Sequence, residues 1–429
     1  MKKALVVGSG AGGCAAAAKL AQSFDVTVLE AGDAFRPFAH DVRRLDPMRH
    51  LGLFFDERMI QLLFPEMRIL KTREGLVHVN GCALGGTTAL ATGNAVRCDQ
   101  VLREIGIDLD NEFAELEQVV PVTRDHYKNW SDLTVRLFAA FEDKGLNPQI
   151  TPKFLVDADR CVACGHCVLG CRFKAKWTAD MLIEGNPRIS VVTRCAVERV
   201  LIKGGRAVGV EARVGGKRCT FEADVVVLAA GGLGTPVLLN ASGIPTQSTL
   251  FVDPVVCVAA PWEGACLDAQ MPMPFVSQRD GYILSPYFDW LSFFFNRQWR
   301  SSSDGIMSIM VKYADSSVGS YDGSRLDKPS TPHDEEIVKR SVEESLCILE
   351  RMGVSRDDMF LGTLNAGHPG GCLPLTSNQA QTLHHEHLPD NLFVADATLL
   401  PRSMGNPPIL TIMALATRVA RCAEESFAD

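Results

Sequence analysis

Short apolar runs that end on a glycine or an acid recur along the chain, several of them followed by an apolar stretch at helical spacing. Residues 4–7 form the first run and read as a buried strand. It leads into Gly8-Ser9-Gly10-Ala11-Gly12-Gly13 and an alanine-rich helix predicted over 14–21. Residues 26–29 form a second strand that ends at Glu30. Residues 225–228 form a third, running out through Ala229-Ala230-Gly231-Gly232. A helix is predicted to start at Pro236, the favoured first position, with Thr235 as its cap and Gly243 at its end. Residues 392–395 form a strand that delivers Asp396, and Gly405-Asn406-Pro407-Pro408 opens an apolar helix over 409–420. Between these lies a different pattern. Alternating strands are predicted around 250–259 and 307–313, and an amphipathic helix around 334–352 with Thr331 or a neighbour as its cap.

The first of these units carries the chemistry of a dinucleotide site. Gly8, Gly10 and Gly13 give G-x-G-x-x-G between a strand and a helix. Gly8 permits the tight turn, Gly10 lets backbone approach a pyrophosphate, and Gly13 lets helix and strand pack closely. Glu30 closes the second strand 20 residues after Gly10, where an acid binds ribose hydroxyls and disfavours a 2′-phosphate. These residues do not separate FAD from NAD. A second Gly/Thr-rich loop, 81–88, offers backbone N–H groups and hydroxyls at Gly85, Gly86 and Thr87 to a polar ligand.

Composition removes several alternatives. The 429 residues are 46% hydrophobic and 22% charged, as in ordinary globular proteins, which excludes wholesale disorder. A net charge of −8 argues against a nucleic-acid binder that works by neutralising phosphates. No run reaches the roughly 18 apolar residues of a transmembrane span. Lys2-Lys3 and the apolar stretch after them imitate a secretory leader, but the glycines interrupt it, so the expected location is cytoplasmic.

Fourteen cysteines in a chain of this length point to metal or redox chemistry more than to a disulfide scaffold. Four fall in one short stretch, Cys161, Cys164, Cys167 and Cys171, spaced C-x2-C-x2-C-x3-C. This is the spacing of bacterial ferredoxins, although Arg172 stands where those have proline. Three outcomes stay open. One is a [4Fe–4S] cluster, the favoured outcome, with Cys171 or a remote cysteine (Cys82, Cys98, Cys195, Cys257 or Cys266) as fourth ligand. The others are a [3Fe–4S] cluster and zinc. Arg172, Lys174 and Lys176 follow directly and would offset cluster charge, dock an acidic electron carrier, or simply be solvated.

Several motifs, in this order, resemble the glucose-methanol-choline (GMC) oxidoreductases, a family of flavoproteins. They are V-V-G-S-G-A-G-G with L-E-A-G (6–13, 29–32), G-C-A-L-G-G-T-T (81–88) and G-G-L-G-T-P-V-L-L-N-A-S-G-I (231–244). The remainder are H-P-G-G-C (368–372), L-F-V-A-D-A (392–397) and G-N-P-P-I-L-T-I-M-A-L-A (405–416). Ala91 and Pro245 depart from the family's usual residues.

The resemblance implies an α/β fold. A discontinuous Rossmann-like FAD-binding domain would comprise 1–45, 70–130, 185–245 and 361–429, and an α+β substrate domain with an antiparallel sheet would comprise 246–360. Residues 151–180 would be the cysteine insert. It implies FAD as cofactor and His368 as the base that takes the hydroxyl proton. Asn406 would be the hydrogen-bond partner of the substrate oxygen, and Asn406 and Pro407 would present N–H groups to the flavin.

The implied activity is an FAD-dependent alcohol dehydrogenase. Hydride would pass from a small-molecule alcohol to flavin N5. Electrons would leave through the iron–sulfur cluster to a one-electron carrier protein or partner subunit. An oxygen-using oxidase with a structural cysteine loop, a non-redox FAD lyase and an electron-relay subunit of a larger complex are the alternatives. His384, His385 and His387 are expected on an exposed turn. The aromatic runs at 54–55 and 287–299 are expected as core, or as an apolar lid or membrane-contact face.

Overall fold

The computed structural model describes residues 2–427. Its centre is a five-stranded parallel sheet in the order Leu392–Val394, Val225–Leu228, Lys3–Val7, Asp25–Leu29, Ile189–Val192. The middle strand is buried from Ala4 to Val7, between helix Ala11–Leu20 and a three-stranded antiparallel sheet, Cys195–Lys203, Arg206–Val214 and Lys217–Glu222, that packs on its neighbours; covered on both faces, it reads as a continuous apolar run. Helix Ala11–Leu20 follows it and packs on the long helix Ile409–Glu425. The same helix also closes on the end of strand Leu392–Val394, where a Cβ on Gly12 would stand 1.8 Å from the Ala395 carbonyl oxygen. The fold is therefore the α/β arrangement expected, with a parallel sheet and separate antiparallel sheets.

The second large sheet has nine strands and is mostly antiparallel. Val255–Pro261 and Ile306–Tyr313 lie at its middle, in register from Val255↔Lys312 to Pro261↔Ile306. Helix Pro332–Arg351 packs on it, and Thr331 and Asp334 form a reciprocal capping box at its start. The parallel sheet and this sheet have separate apolar cores. Among the described residues, no helix is long and apolar enough to cross a membrane.

Three local expectations change. The first helix starts at Ala11, not residue 14, because the Cys14 N–H already bonds the Gly10 carbonyl. The helix expected from Pro236 starts at Gly231 and carries Pro236 inside it. Its start is fixed by a distant carboxylate: Asp396 accepts from the Gly231 N–H at 2.8 Å and from the Thr235 hydroxyl at 2.6 Å. The strand expected over 250–259 forms only from Val255. Asp253 takes a φ of +50°, which interrupts extended backbone and turns its carboxylate inward.

Candidate active site and cysteine cavity

Three cavities meet near the ends of the parallel strands. The first, about 380 Å3, runs from the Gly8–Gly12 turn past Glu30 and Asp396 to His368. Glu30 is buried and accepts from the Ser9 N–H and hydroxyl and from the Gly32 N–H. That fixes the acid at the tip of the second strand, where a ribose would meet it. Gly8 has φ +101° and packs on Ala229, and Gly13 packs on the Gly8 carbonyl.

Gly10 differs from these. A Cβ there would meet no protein atom within 4 Å, although Gly10 lines the cavity. Packing does not require its bareness, and its backbone is left open to a ligand in the cavity. Gly86, Thr87 and Asp396 line the same cavity, whereas Gly85 packs against Asp180. The residues present thus fit a dinucleotide. Gly10→Val should abolish flavin retention with little change in Tm. Gly12→Ala, forced against Ala395, should cost about 1–3 kcal/mol of stability. Flavin content and thermal melts of the two variants separate ligand contact from packing.

The second cavity, about 240 Å3, is mainly apolar. Phe54, Phe294 and Phe295 line it, with ring centroids of Phe54–Phe294 4.8 Å and Phe54–Phe295 5.5 Å apart. The aromatic run therefore divides: Phe288, Phe293 and Trp299 are core, while Phe55 is 77% exposed. His368, Asp253, Gly367 and Ala91 belong to the walls of both cavities. Pro407 lines the second and Pro408 the first.

Asn406 lines neither. Its Nδ2 donates to the Met404 carbonyl at 3.2 Å and its Oδ1 accepts from Gln278 Nε2 at 2.8 Å. The structure brings His368 to the junction but not the Asn406 side chain.

Beneath His368 lies an ion pair that sequence reading missed. Lys312 Nζ donates to Asp253 Oδ2 at 2.5 Å, and the side chains are 2% and 1% exposed. Asp253 also accepts from the Ser403 hydroxyl and, at 3.3 Å, from the Gly405 N–H, tying the pair to the loop before the last helix. His368 Nδ1 is 3.7 Å from Asp253 Oδ2 and has no hydrogen-bond partner. Burial opposes ionisation of Asp253, but Lys312 and His368 hold it down at about 2. Burial, reinforced by Lys312, pushes His368 below the ordinary imidazole range while Asp253 pulls it up. His368 is therefore neutral near pH 7, with Nδ1 toward the carboxylate and Nε2 left for a ligand. Buried His78 beside it is pushed down to about 3 and adds no charge.

The third cavity is small, about 20 Å3, and is lined by Cys161, Cys164, Cys167 and Cys171 together. None of the five remote cysteines lines it. Among the described residues, no group of three or more His, Cys, Asp or Glu side chains is arranged to hold a metal ion. The structure thus collects the four cysteines without forming a metal site. Four thiols on one cavity are the donor set of a cubane, and Val162 on the same loop is 58% exposed.

Two lysines also line this cavity, Lys153 and Lys176, 1% and 3% exposed. Lys176 turns inward while Arg172 and Lys174 are exposed. Burial pushes Lys153 down to about 7 and Lys176 to about 8, and the cysteines pull both up. Thr92 lines the cysteine cavity and the apolar one, so the two adjoin at this residue.

The histidine cluster is less exposed than expected. His385 is buried and the His384 ring meets Phe393 edge-on at 5.1 Å.

The family model for GMC oxidoreductase matches residues 3–257. An uncharacterized protein of Methanocaldococcus jannaschii is 26% identical over 346 residues, covering 79% of this chain and 85% of that protein. Long-chain-alcohol oxidase FAO1 of Arabidopsis thaliana is 24% identical over 513 residues, covering 96% of this chain and 65% of that one. The crystal structure of pyridoxine 4-oxidase from Mesorbium loti superposes with a TM-score of 0.75 at 16% identity, covering 99% of both chains.

Proposed function

The chain belongs to the GMC oxidoreductase family, and on that premise we propose that it is an FAD-dependent dehydrogenase. Its substrate is an apolar alcohol oxidised at the CH–OH group. An iron–sulfur cluster held by Cys161, Cys164, Cys167 and Cys171 would supply a one-electron outlet to an external carrier. The observation that carries this reading is the position of His368 on the shared wall of a nucleotide-type cavity and an apolar cavity.

FAD bound along Gly8–Gly12, Glu30 and Asp396 would supply the two-electron acceptor and a route back to single electrons. The chain's own residues do the rest. The apolar walls at Phe54, Leu90, Phe294 and Met310 hold a hydrocarbon body and exclude water from the reacting carbon. Neutral His368 accepts the hydroxyl proton at Nε2 as the C–H bond breaks. Asp253 then faces the imidazolium through Nδ1, and Lys312 keeps Asp253 ionised at neutral pH. The long-chain-alcohol oxidase likeness supports an apolar alcohol as substrate. Alcohol-driven bleaching of the bound flavin under anaerobic conditions tests the reading directly.

The pair beneath His368 sets the sign of a pH effect. The rate falls as pH drops through the His368 pKa, because the base must be neutral. Lys312→Met removes a cation that disfavours imidazolium, and an imidazolium at His368 itself favours the ionised Asp253 that faces it. The acid limb of the pH profile for flavin reduction should therefore move to higher pH. An unmoved limb would assign the titration to another group.

The ferredoxin-like spacing, the common cavity and the buried lysines support a cluster at Cys161, Cys164, Cys167 and Cys171. Zinc would need its donors about 2.0–2.3 Å from one centre, a convergence that is absent among the described residues. With no remote cysteine at this cavity, Cys171 is the fourth ligand.

A further inference from the structure

We propose that Lys153 and Lys176 are the built-in counter-charges of an anionic redox centre in the cysteine cavity, and that they set its reduction potential. This rests on the cluster reading above and assigns roles to two residues outside the cysteine run.

A lysine ammonium is almost never fully buried without a carboxylate, because the desolvation it suffers is returned only by an opposite charge. Here two are buried side by side. Lys153 Nζ donates to Asn94 Oδ1 at 2.5 Å and the Pro272 carbonyl at 2.6 Å, with the Thr92 carbonyl at 3.5 Å. Lys176 Nζ donates to the carbonyls of Ala89 and Ala91 at 2.8 Å and of Cys167 at 2.9 Å. Every acceptor is neutral, and no aspartate or glutamate reaches either nitrogen among the described residues. The other buried lysines of the chain differ: Lys312 has Asp253 at 2.5 Å and Lys328 has Asp315 at 2.9 Å. What Lys153 and Lys176 do share is a wall of the cavity lined by the four cysteines.

The missing negative charge therefore belongs in that cavity. A cubane with four thiolate ligands carries a net charge of about −2, which two ammonium groups offset. Adding one electron increases the negative charge, so the same lysines favour the reduced form. Cluster potentials are governed by net charge and by hydrogen bonding around the sulfurs. Lys176 has a second consequence. Its three bonds tie the Cys167 turn to Ala89 and Ala91, in the segment between the cysteine cavity and the other two. The charge partner is thus also the clamp that fixes the separation an electron must cross.

The test uses the full chain, purified without oxygen, as wild type, Lys153→Met, Lys176→Met, Lys153→Arg and Lys176→Arg. Iron content, Tm and the cluster midpoint potential by EPR-monitored titration are measured on each. In the methionine variants the midpoint should move to more negative potential, and iron should leave faster to a chelator. The arginine variants should stay near wild type on both readouts. Iron lost from methionine variants but kept in arginine variants supports the charge role equally. A lower Tm with an unmoved midpoint would overturn it, leaving the lysines as carbonyl clamps only. Equal iron loss from the methionine and arginine variants would also overturn it. Wild type without iron is a separate outcome that removes the cluster reading, and this inference with it.

Discussion

Flavin reduction by an alcohol should slow by about 10²–10⁴-fold in His368→Ala, the usual worth of a positioned general base. The expectation follows from geometry: His368 is a titratable side chain common to the nucleotide-type and apolar cavities, and burial with Lys312 keeps it neutral. Stopped-flow bleaching under nitrogen isolates this step from electron delivery. Flavin content should remain, because the glycine turn and Glu30 are untouched. Asn406→Ala should have a smaller effect, since its side chain bonds Gln278 and Met404 and faces neither cavity. A wild-type bleaching rate in His368→Ala would reduce that residue to a wall of the site.

Cys164→Ser should separate the two halves of the reaction. Loss of a mere outer-shell partner costs a metal site about 10–100-fold, and a direct ligand should cost at least that. Iron should fall and reduction of an artificial one-electron acceptor should drop toward background, while substrate still bleaches the flavin. The cysteine cavity and the substrate cavity share Thr92 but not His368, so chemistry at the alcohol should survive. Unchanged acceptor reduction in Cys164→Ser would remove the relay and leave an oxidase with a structural cysteine loop.

Much of this was legible in the sequence where one short segment carries a whole function. Gly8 and Gly13 pack as their spacing implies, and Gly10 faces open space in the cavity. Glu30 sits at the tip of its strand, and the cysteine run closes on itself. What escaped were groups assembled from distant segments. Asp253 and Lys312 meet across two strands, and Asp253 takes its inward direction from a left-handed backbone angle that an apolar run does not reveal. Lys153 reads as a surface residue in any sequence, because lysine is nearly always solvated. A signal did exist for Lys312: it interrupts Ile306–Tyr313, a strand buried at every position. The Thr235 cap was misassigned because the true acceptor, Asp396, lies 161 residues further on. Asn406 shows the limit of a motif, which fixes a residue's place at the start of a helix but not which way its side chain turns.

The most direct measurement is an anaerobic titration of the full chain with an apolar primary alcohol, followed by visible absorbance and low-temperature EPR on the same samples, with iron and zinc quantified beforehand. The account requires about four irons per chain, flavin bleaching on addition of alcohol, and a reduced-cluster EPR signal that grows with it. Bleaching with no EPR signal, in protein that contains zinc or no metal, would contradict it.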